Sequence, residues 1–333
     1  MPRPDASTPA RSSQAAGAAA QSKAPAILAS YVASDPKSLA LLEQVKKVAA
    51  SSATVLIRGE SGTGKDLLAS LIHYLGVNRD EPLLKIDCAS LPQELMESEL
   101  FGYERGAFTG ASEMKRGRLE MAGSGTIVLD EIAALSPAMQ AKLLRVLEEK
   151  RFDRLGGTRA VVLPEAVRII AITNVDLERA VAERSFREDL FYRLNVIQLV
   201  LPPLRERSDD IQPLAEHLLQ RLSNVHRKPA KNLSKPALAA LERYAFPGNV
   251  RELRNILERC VVSSDAQEIA LNDLPAHVSS GGAHGAKMSL AEMERAYIAE
   301  VLDYTRGKKS KAAEILGISR KNLLEKRKRY KLD

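Results

Sequence analysis

The chain has 333 residues, 45% of them hydrophobic, enough for about two domains and a sizeable core. Its two cysteines, Cys88 and Cys260, exclude a disulfide framework and each reads as a small packed thiol. No apolar run approaches the ~20 residues of a bilayer crossing and the first residues lack an apolar signal core, so no membrane partner and a cytoplasmic location are expected.

Residues 1–26 are rich in Ala, Ser, Pro and Gln without periodicity and read as a disordered tail. The apolar run 53–57 is strand-like. It leads into Gly59-Glu60-Ser61-Gly62-Thr63-Gly64-Lys65-Asp66, and a helix-like run follows over 67–72. Strand, glycine loop and helix in that order make a phosphate cradle rather than a chance glycine loop. Backbone N–H groups and the helix N-terminus face the phosphates, and Lys65 reaches the β and γ oxygens. Asp66 stands where Ser or Thr usually holds Mg²⁺; an acid there reaches the metal through water or leaves it to another carboxylate.

Next in the chain comes Gly106-Ala107-Phe108-Thr109-Gly110-Ala111. Glycines at both ends free it from helix or strand, so Phe108 and Thr109 are expected on a mobile tip. On its own the sextet reads first as a glycine turn whose Phe reaches the core, and its neighbours reverse that reading. The run 125–129 is apolar, as a strand buried on both faces should be, and ends in Asp130-Glu131. Asp130 is placed to bind Mg²⁺ or its waters and Glu131 to polarise the attacking water as general base. A third strand-like run, 167–172, ends in Thr173-Asn174, at the strand end where open α/β sheets bind ligands. Either residue orients the lytic water or senses the γ-phosphate, or else caps the following turn. These alternating elements imply a parallel α/β core over 27–203 with helices on both faces. Helical patterns dominate 204–278, and 279–287 is a Ser- and Gly-rich linker.

The tail carries the charge. From Thr305 to Asp333 there are eleven Lys or Arg against three acids, a net of +8 in a chain of +7. This segment, 288–333, also has a helical scaffold. Ser289-Leu290-Ala291-Glu292 is a capping box with Met288 and Met293 placed as a staple, and Leu290, Met293, Tyr297 and Val301 share one face. A second helix is expected over 311–316, a turn at Gly317-Ile318-Ser319, and a third helix over 320–330. Ser319, Arg320, Lys321, Asn322 and Lys326 stand where a recognition helix meets the base edges and phosphates of double-stranded DNA.

Together these residues resemble the bacterial enhancer-binding proteins, AAA+ ATPases that activate sigma-54 RNA polymerase. The resemblance rests on residues 59–66 and on Glu99-Leu100-Phe101-Gly102-Tyr103-Glu104-Arg105 running into 106–111. It continues through Leu129-Asp130-Glu131-Ile132, the segment 186–195, Leu201-Pro202-Pro203-Leu204-Arg205-Glu206-Arg207, and Pro247-Gly248-Asn249-Val250-Arg251-Glu252-Leu253. Residues 311–320 are similar to the Fis-type helix-turn-helix that ends such proteins. The resemblance implies an AAA+ core, a helical lid over 204–278 and a small all-α DNA-binding domain. It makes residues 106–111 the sigma-54 contact, Arg187 and Arg193 arginine fingers lent to a neighbour's ATP, and Arg251 a sensor in the lid. It implies a homo-oligomer, a hexameric ring, that remodels closed promoter complexes. The competing readings are a DNA-binding regulator with an ATPase-like fold that does not remodel sigma-54, and an ATP-driven DNA motor.

Two positions depart from the family pattern. Asp87 occupies a place where relatives often carry an Asn that restrains the catalytic Glu, and its charge would repel Glu131. Phe246 stands where a Trp commonly precedes Pro-Gly-Asn. The stretch ahead of residue 27 leaves no room for a sensor domain, so control is expected from a separate inhibitor protein or from expression level.

Overall fold

The structure is a computed structural model that describes residues 29–264, 266–279 and, between 295 and 330, mainly 309–316 and 320–330. The expected tail, linker, capping box at Ser289 and recognition-turn residue Ser319 lie outside the described residues. The first described unit is a five-stranded parallel sheet. Its helices and strands alternate as α1 (Pro36–Ala49), β1 (Val55–Arg58), α2 (Lys65–Tyr74), β2 (Leu83–Asp87), α3 (Gln93–Phe101), β3 (Thr126–Asp130), α4 (Pro137–Glu149), β4 (Arg168–Thr173), α5 (Leu177–Ala182), α6 (Glu188–Leu194) and β5 (Ile197–Val200). The spatial order is β2-β3-β4-β1-β5. In β4 all six side chains are buried, which is why its interior, Ile169-Ile170-Ala171-Ile172, is aliphatic without alternation.

One face of the sheet packs Val55, Ile57, Ile170 and Ile172 against α1 and α2; the other packs Leu56, Ile127, Leu129 and Ala171 against α4 and α6. Each large aliphatic chain buried this way contributes about 1.5–3 kcal/mol. Charged groups inside this core have specific work. Arg168 is buried and donates from Nη2 to the Val48 carbonyl at 2.8 Å, at the C-terminal end of α1 where a cation is favoured. Burial alone lowers its guanidinium to about 10. Its partner in the core, His73, faces the Thr126 hydroxyl at 2.9 Å and is lowered to about 4, first by burial and then by Arg168. It is therefore neutral at pH 7.

A helical subdomain follows, built on α7 (Ile211–His226), α8 (Lys235–Arg243) and α9 (Asn249–Ser263). Its apolar core joins Leu214, Leu219, Leu241, Leu253 and Leu257, and Phe246 lies fully buried at its centre with its ring edge-on to Tyr244 at 5.0 Å. Phe246 holds φ +47°, a conformation a bulky residue adopts only when its surroundings impose it. Phe246 is therefore a packing residue of this core. A two-residue parallel pair, Asn232–Leu233 against Glu268–Ile269, adds strand to a region whose sequence is dominated by helical patterns. Both cysteines are free and buried.

At the C-terminus, α10 (Lys309–Ile315) and α11 (Arg320–Tyr330) pack around Ile298, Val301, Ala312, Ala313 and Leu323. One sequence expectation is corrected here. Tyr297 is 54% exposed and Ile298, at 2%, takes its place beside Val301. Tyr and Ile are adjacent in the chain, so the helical period fits either register, and the purely aliphatic residue is the one buried.

Candidate functional site

Three sheet strands end at one rim. Leaving β1, the chain turns through the phosphate loop into α2, whose first N–H groups have no side-chain cap because Gly64 (φ +107°) precedes them. An uncapped helix start of this kind is suited to phosphate oxygens. The loop is moulded tightly against the helical subdomain. A Cβ on Gly62 (φ +79°) would come within 2.4 Å of the Gly248 carbonyl, whereas one on Gly64 would meet nothing within 4 Å. Gly62 is required by close packing, and Gly64 by its backbone conformation alone.

Lys65 is buried and donates from Nζ to the carbonyls of Gly59 (2.8 Å) and Glu60 (3.0 Å). Burial lowers its ammonium pKa, and the nearby Glu131, Asp130 and Asp66 oppose that shift. Asp130 ends β3, and its Oδ1 accepts the Glu131 amide at 3.1 Å. Glu131 itself sits in the left-handed region (φ 51°, ψ 51°), which turns its side chain out of the sheet at the rim. A cleft of about 240 Å³ brings Lys65, Asp66, Asp130, Glu131, Arg251 and Arg254 together. It continues into an apolar slot of about 480 Å³ whose walls include Tyr31, Val32, Leu218 and Val250, beside Thr63 and Gly64. A polar cleft joined to an apolar slot fits a nucleotide, phosphates in one and base in the other. The fit to Mg²⁺ rests on the donor chemistry: the Asp66 and Asp130 carboxylates converge, and Lys85 already joins them through one ammonium group.

Several expected site residues have other duties. The Glu60 carboxylate turns from the cradle to the helical subdomain, where it accepts two bonds from Arg205 (2.8 and 2.6 Å) and one from Asn249 (3.1 Å). These bonds, from Arg205 first and then Asn249, hold its pKa down to about 2. Asn249 is fully buried and also donates to the Ser61 carbonyl at 3.1 Å while accepting from the Leu204 amide at 2.8 Å. Arg251 donates to Ser61 Oγ at 2.8 Å, and the buried Arg207 donates to the Thr63 carbonyl at 2.9 Å. Thus four consecutive loop residues, 60–63, are each gripped by the subdomain. Thr173 is buried and its hydroxyl accepts the Val175 amide at 3.0 Å, so it caps the turn; Asn174 is exposed beyond it.

Asp87 lies level with Asp130 across the β2–β3 pairing. Its Oδ1 accepts the Ala89 amide at 3.0 Å. Burial, then the charges of Asp87, Asp130 and Glu131, push the Cys88 thiol up to about 12, so these three carboxylates share one neighbourhood.

Arg187 is the N-cap of α6 and Arg193 lies in its last turn, and neither lines the cleft around Lys65. Arg187 pairs with both Asp189 oxygens (3.0 and 2.7 Å), and Arg193 donates to the Leu147 carbonyl at 3.0 Å.

The 106–111 loop is more ordered than a free tip. Gly106 donates to the Ala111 carbonyl at 2.8 Å and Ala111 to the Phe108 carbonyl at 3.0 Å, closing it on itself. Gly106 and Gly110 hold φ of +86° and +108°, as such closure requires. Ala111 is buried, so it is not part of the displayed surface; Thr109 is exposed, and Phe108 is 46% exposed with its ring edge-on to Tyr103 at 4.9 Å. The loop base is buttressed by Arg154, which donates to Glu104 (2.5 Å) and to both oxygens of Glu120 (3.0 and 2.9 Å). In the C-terminal unit Arg320 and Asn322 are exposed on α11, as is Lys309 at the start of α10.

Sequence reasoning missed Lys85, Arg207, Arg254 and the apolar slot. Only Arg254 left a signal, standing three residues, about one turn, beyond Arg251 on α9.

The comparisons agree with this geometry. Residues 31–200 match the sigma-54 interaction domain, 205–290 the AAA+ ATPase lid domain and 289–330 the bacterial regulatory proteins of the Fis family. The chain is 43% identical to regulatory protein AtoC of Escherichia coli (strain K12), covering 90% of this chain and 67% of AtoC. It is 46% identical to nitrogen fixation protein AnfA of Azotobacter vinelandii, covering 86% of this chain but 55% of AnfA. Among solved structures, NtrX from Brucella abortus in complex with ADP superposes with a TM-score of 0.69 at 31% identity, over 90% of this chain and 70% of that one. Hsp104, at 17% identity and a TM-score of 0.53, shares the fold. The chain belongs to the sigma-54-dependent transcriptional activators, AAA+ proteins with a helical lid and a Fis-type helix-turn-helix.

Proposed function

We propose that this chain hydrolyses ATP in a homo-oligomeric ring and uses the energy to press the Phe108–Thr109 loops onto sigma-54, opening promoters whose upstream DNA its helix-turn-helix holds. The observation that carries the reading is the pairing, on one rigid core, of a nucleotide cleft with an exposed loop that supplies nothing to that cleft. NtrX, the structural relative, is known with ATP and with ADP bound, which supports a nucleotide in the corresponding cleft here.

In the reaction, loop amides and Lys65 hold the triphosphate, and Glu131 orients and deprotonates the attacking water. Mg²⁺, bound with the nucleotide through Asp130 and Asp66 or their waters, supplies neutralisation of phosphate charge. Arg251 and Arg254 approach the phosphates from the lid. A change at the phosphates then has a direct route outward, because residues 60–63 are held by Arg205, Arg207, Asn249 and Arg251. At the other end, Arg320, Asn322 and Lys326 of α11 would meet the DNA grooves and backbone. The experiment is open-complex formation on a sigma-54 promoter with purified chain and ATP; hydrolysis without any opening would favour the regulator that does not remodel.

Assembly follows from the arginines. A guanidinium outside its own cleft serves a γ-phosphate only across an interface, where such a finger is worth about 10³–10⁵-fold. Arg187→Ala and Arg193→Ala should each retain ATP binding and lose hydrolysis. Mixed with Glu131→Gln subunits, each should regain part of its activity at hybrid interfaces. Inactivity of every mixture at concentrations that form rings would assign both residues an intrasubunit role.

A further inference from the structure

We propose that Lys85 is a tethered counter-cation that raises the Mg²⁺ concentration the nucleotide site requires. The inference rests on the ATPase reading above. Lys85 projects from β2, which pairs only with β3 and so forms the sheet edge. Its ammonium lies 3.0 Å from Asp130 Oδ2 and donates to Asp66 Oδ1. Among the described residues, the ion pairs of Asp66 and of Asp130 are both with this one side chain. These are the two carboxylates that flank the phosphate end of the cleft, one at the first turn of α2 and the other at the end of β3.

Magnesium takes one or two carboxylates together with substrate phosphates and waters. An ammonium is a compact, strongly hydrated cation with three donors, a fair mimic of a hydrated metal for the same oxygens. Each carboxylate lone pair engaged by Lys85 is withheld from the metal or its waters. Removing the ammonium leaves a more negative site that holds a divalent cation more tightly. A purely structural tether predicts the reverse: without Lys85 the carboxylates lose alignment and metal binding weakens. The sign of the change therefore separates the two roles.

The test uses the full chain and a fluorescent ATP analogue, with nucleotide binding titrated against Mg²⁺, and Mn²⁺ binding followed by electron paramagnetic resonance. In Lys85→Gln the Mg²⁺ concentration for half-maximal nucleotide binding should fall about tenfold, the scale of losing one unit charge at a partly exposed site. The Mn²⁺ dissociation constant in the presence of nucleotide should fall likewise. Lys85→Arg, which keeps the charge, should stay near the parent, and raising the salt should shrink the difference. Lys85→Met is the second neutral variant; the side chain is half exposed on an edge strand, so its replacement leaves the core intact. An unchanged or increased Mg²⁺ requirement in both neutral variants overturns the proposal while leaving the ATPase reading in place. Failure of the parent itself to bind nucleotide overturns both.

Discussion

Glu131→Gln should leave ATP bound and slow its hydrolysis by about 10²–10⁴-fold, the usual worth of a positioned general base. The amide is isosteric and still hydrogen-bonds water, but it cannot take a proton. Its backbone conformation at φ 51° is fixed by the turn after β3 and does not depend on the carboxylate, which has no cap bond to that turn. Lys65, Asp130 and the loop amides are untouched, so affinity for ATP should survive. Lys65→Ala makes the contrast. Its ammonium is buried inside the cradle, and without it the amide dipoles lose the cation that faces the triphosphate charge, so binding should be lost. Equilibrium binding and single-turnover hydrolysis on the two variants check both statements. Turnover in Glu131→Gln equal to the parent's would remove Glu131 from the base role.

How much of this site could be read from the sequence depended on distance along the chain. The cradle, the Asp130-Glu131 pair and the 106–111 loop are contiguous, and their residue types follow from local chemistry. The clamp on the loop is not contiguous. Arg205 reaches Glu60 across 145 residues and Arg207 reaches Thr63 across 144, so no local pattern marks them. Glu60 illustrates the cost: its place in the loop suggested a cofactor contact, yet its carboxylate serves the lid. Lys85 was invisible for a related reason, since only the β2–β3 pairing sets it beside Asp130. Thr173 shows a local ambiguity that strand position did not decide, because its hydroxyl serves the Val175 amide. Three of the five strands, β1, β3 and β4, were legible because each has an apolar interior that ends at polar residues; the edge strands β2 and β5 are only partly buried and left no such run.

Thr109→Ala should leave ATP hydrolysis and ring assembly near normal and abolish promoter opening. Thr109 is exposed, lies outside the cleft and offers no group that hydrolysis needs. Loop shape should survive the change, since closure comes from the backbone bonds Gly106 to Ala111 and Ala111 to Phe108 and from the glycine conformations. What the variant loses is a hydroxyl and a methyl on the surface offered to sigma-54. Phe108→Ala should behave alike through loss of its apolar contact, with one difference. Half of that ring already rests on Tyr103, so its removal also frees the loop to move against its base. An edge-to-face pair contributes about 0.5–1.5 kcal/mol beyond its burial, enough to broaden the loop's positions without unfolding the core. Under the proposed mechanism, loss of the γ-phosphate is the local charge change that would displace this loop. ATPase rate and open-complex yield, measured on the same preparations, decide the matter. Equal loss of both would make the loop structural, and full promoter opening by both variants would remove it from the contact with sigma-54.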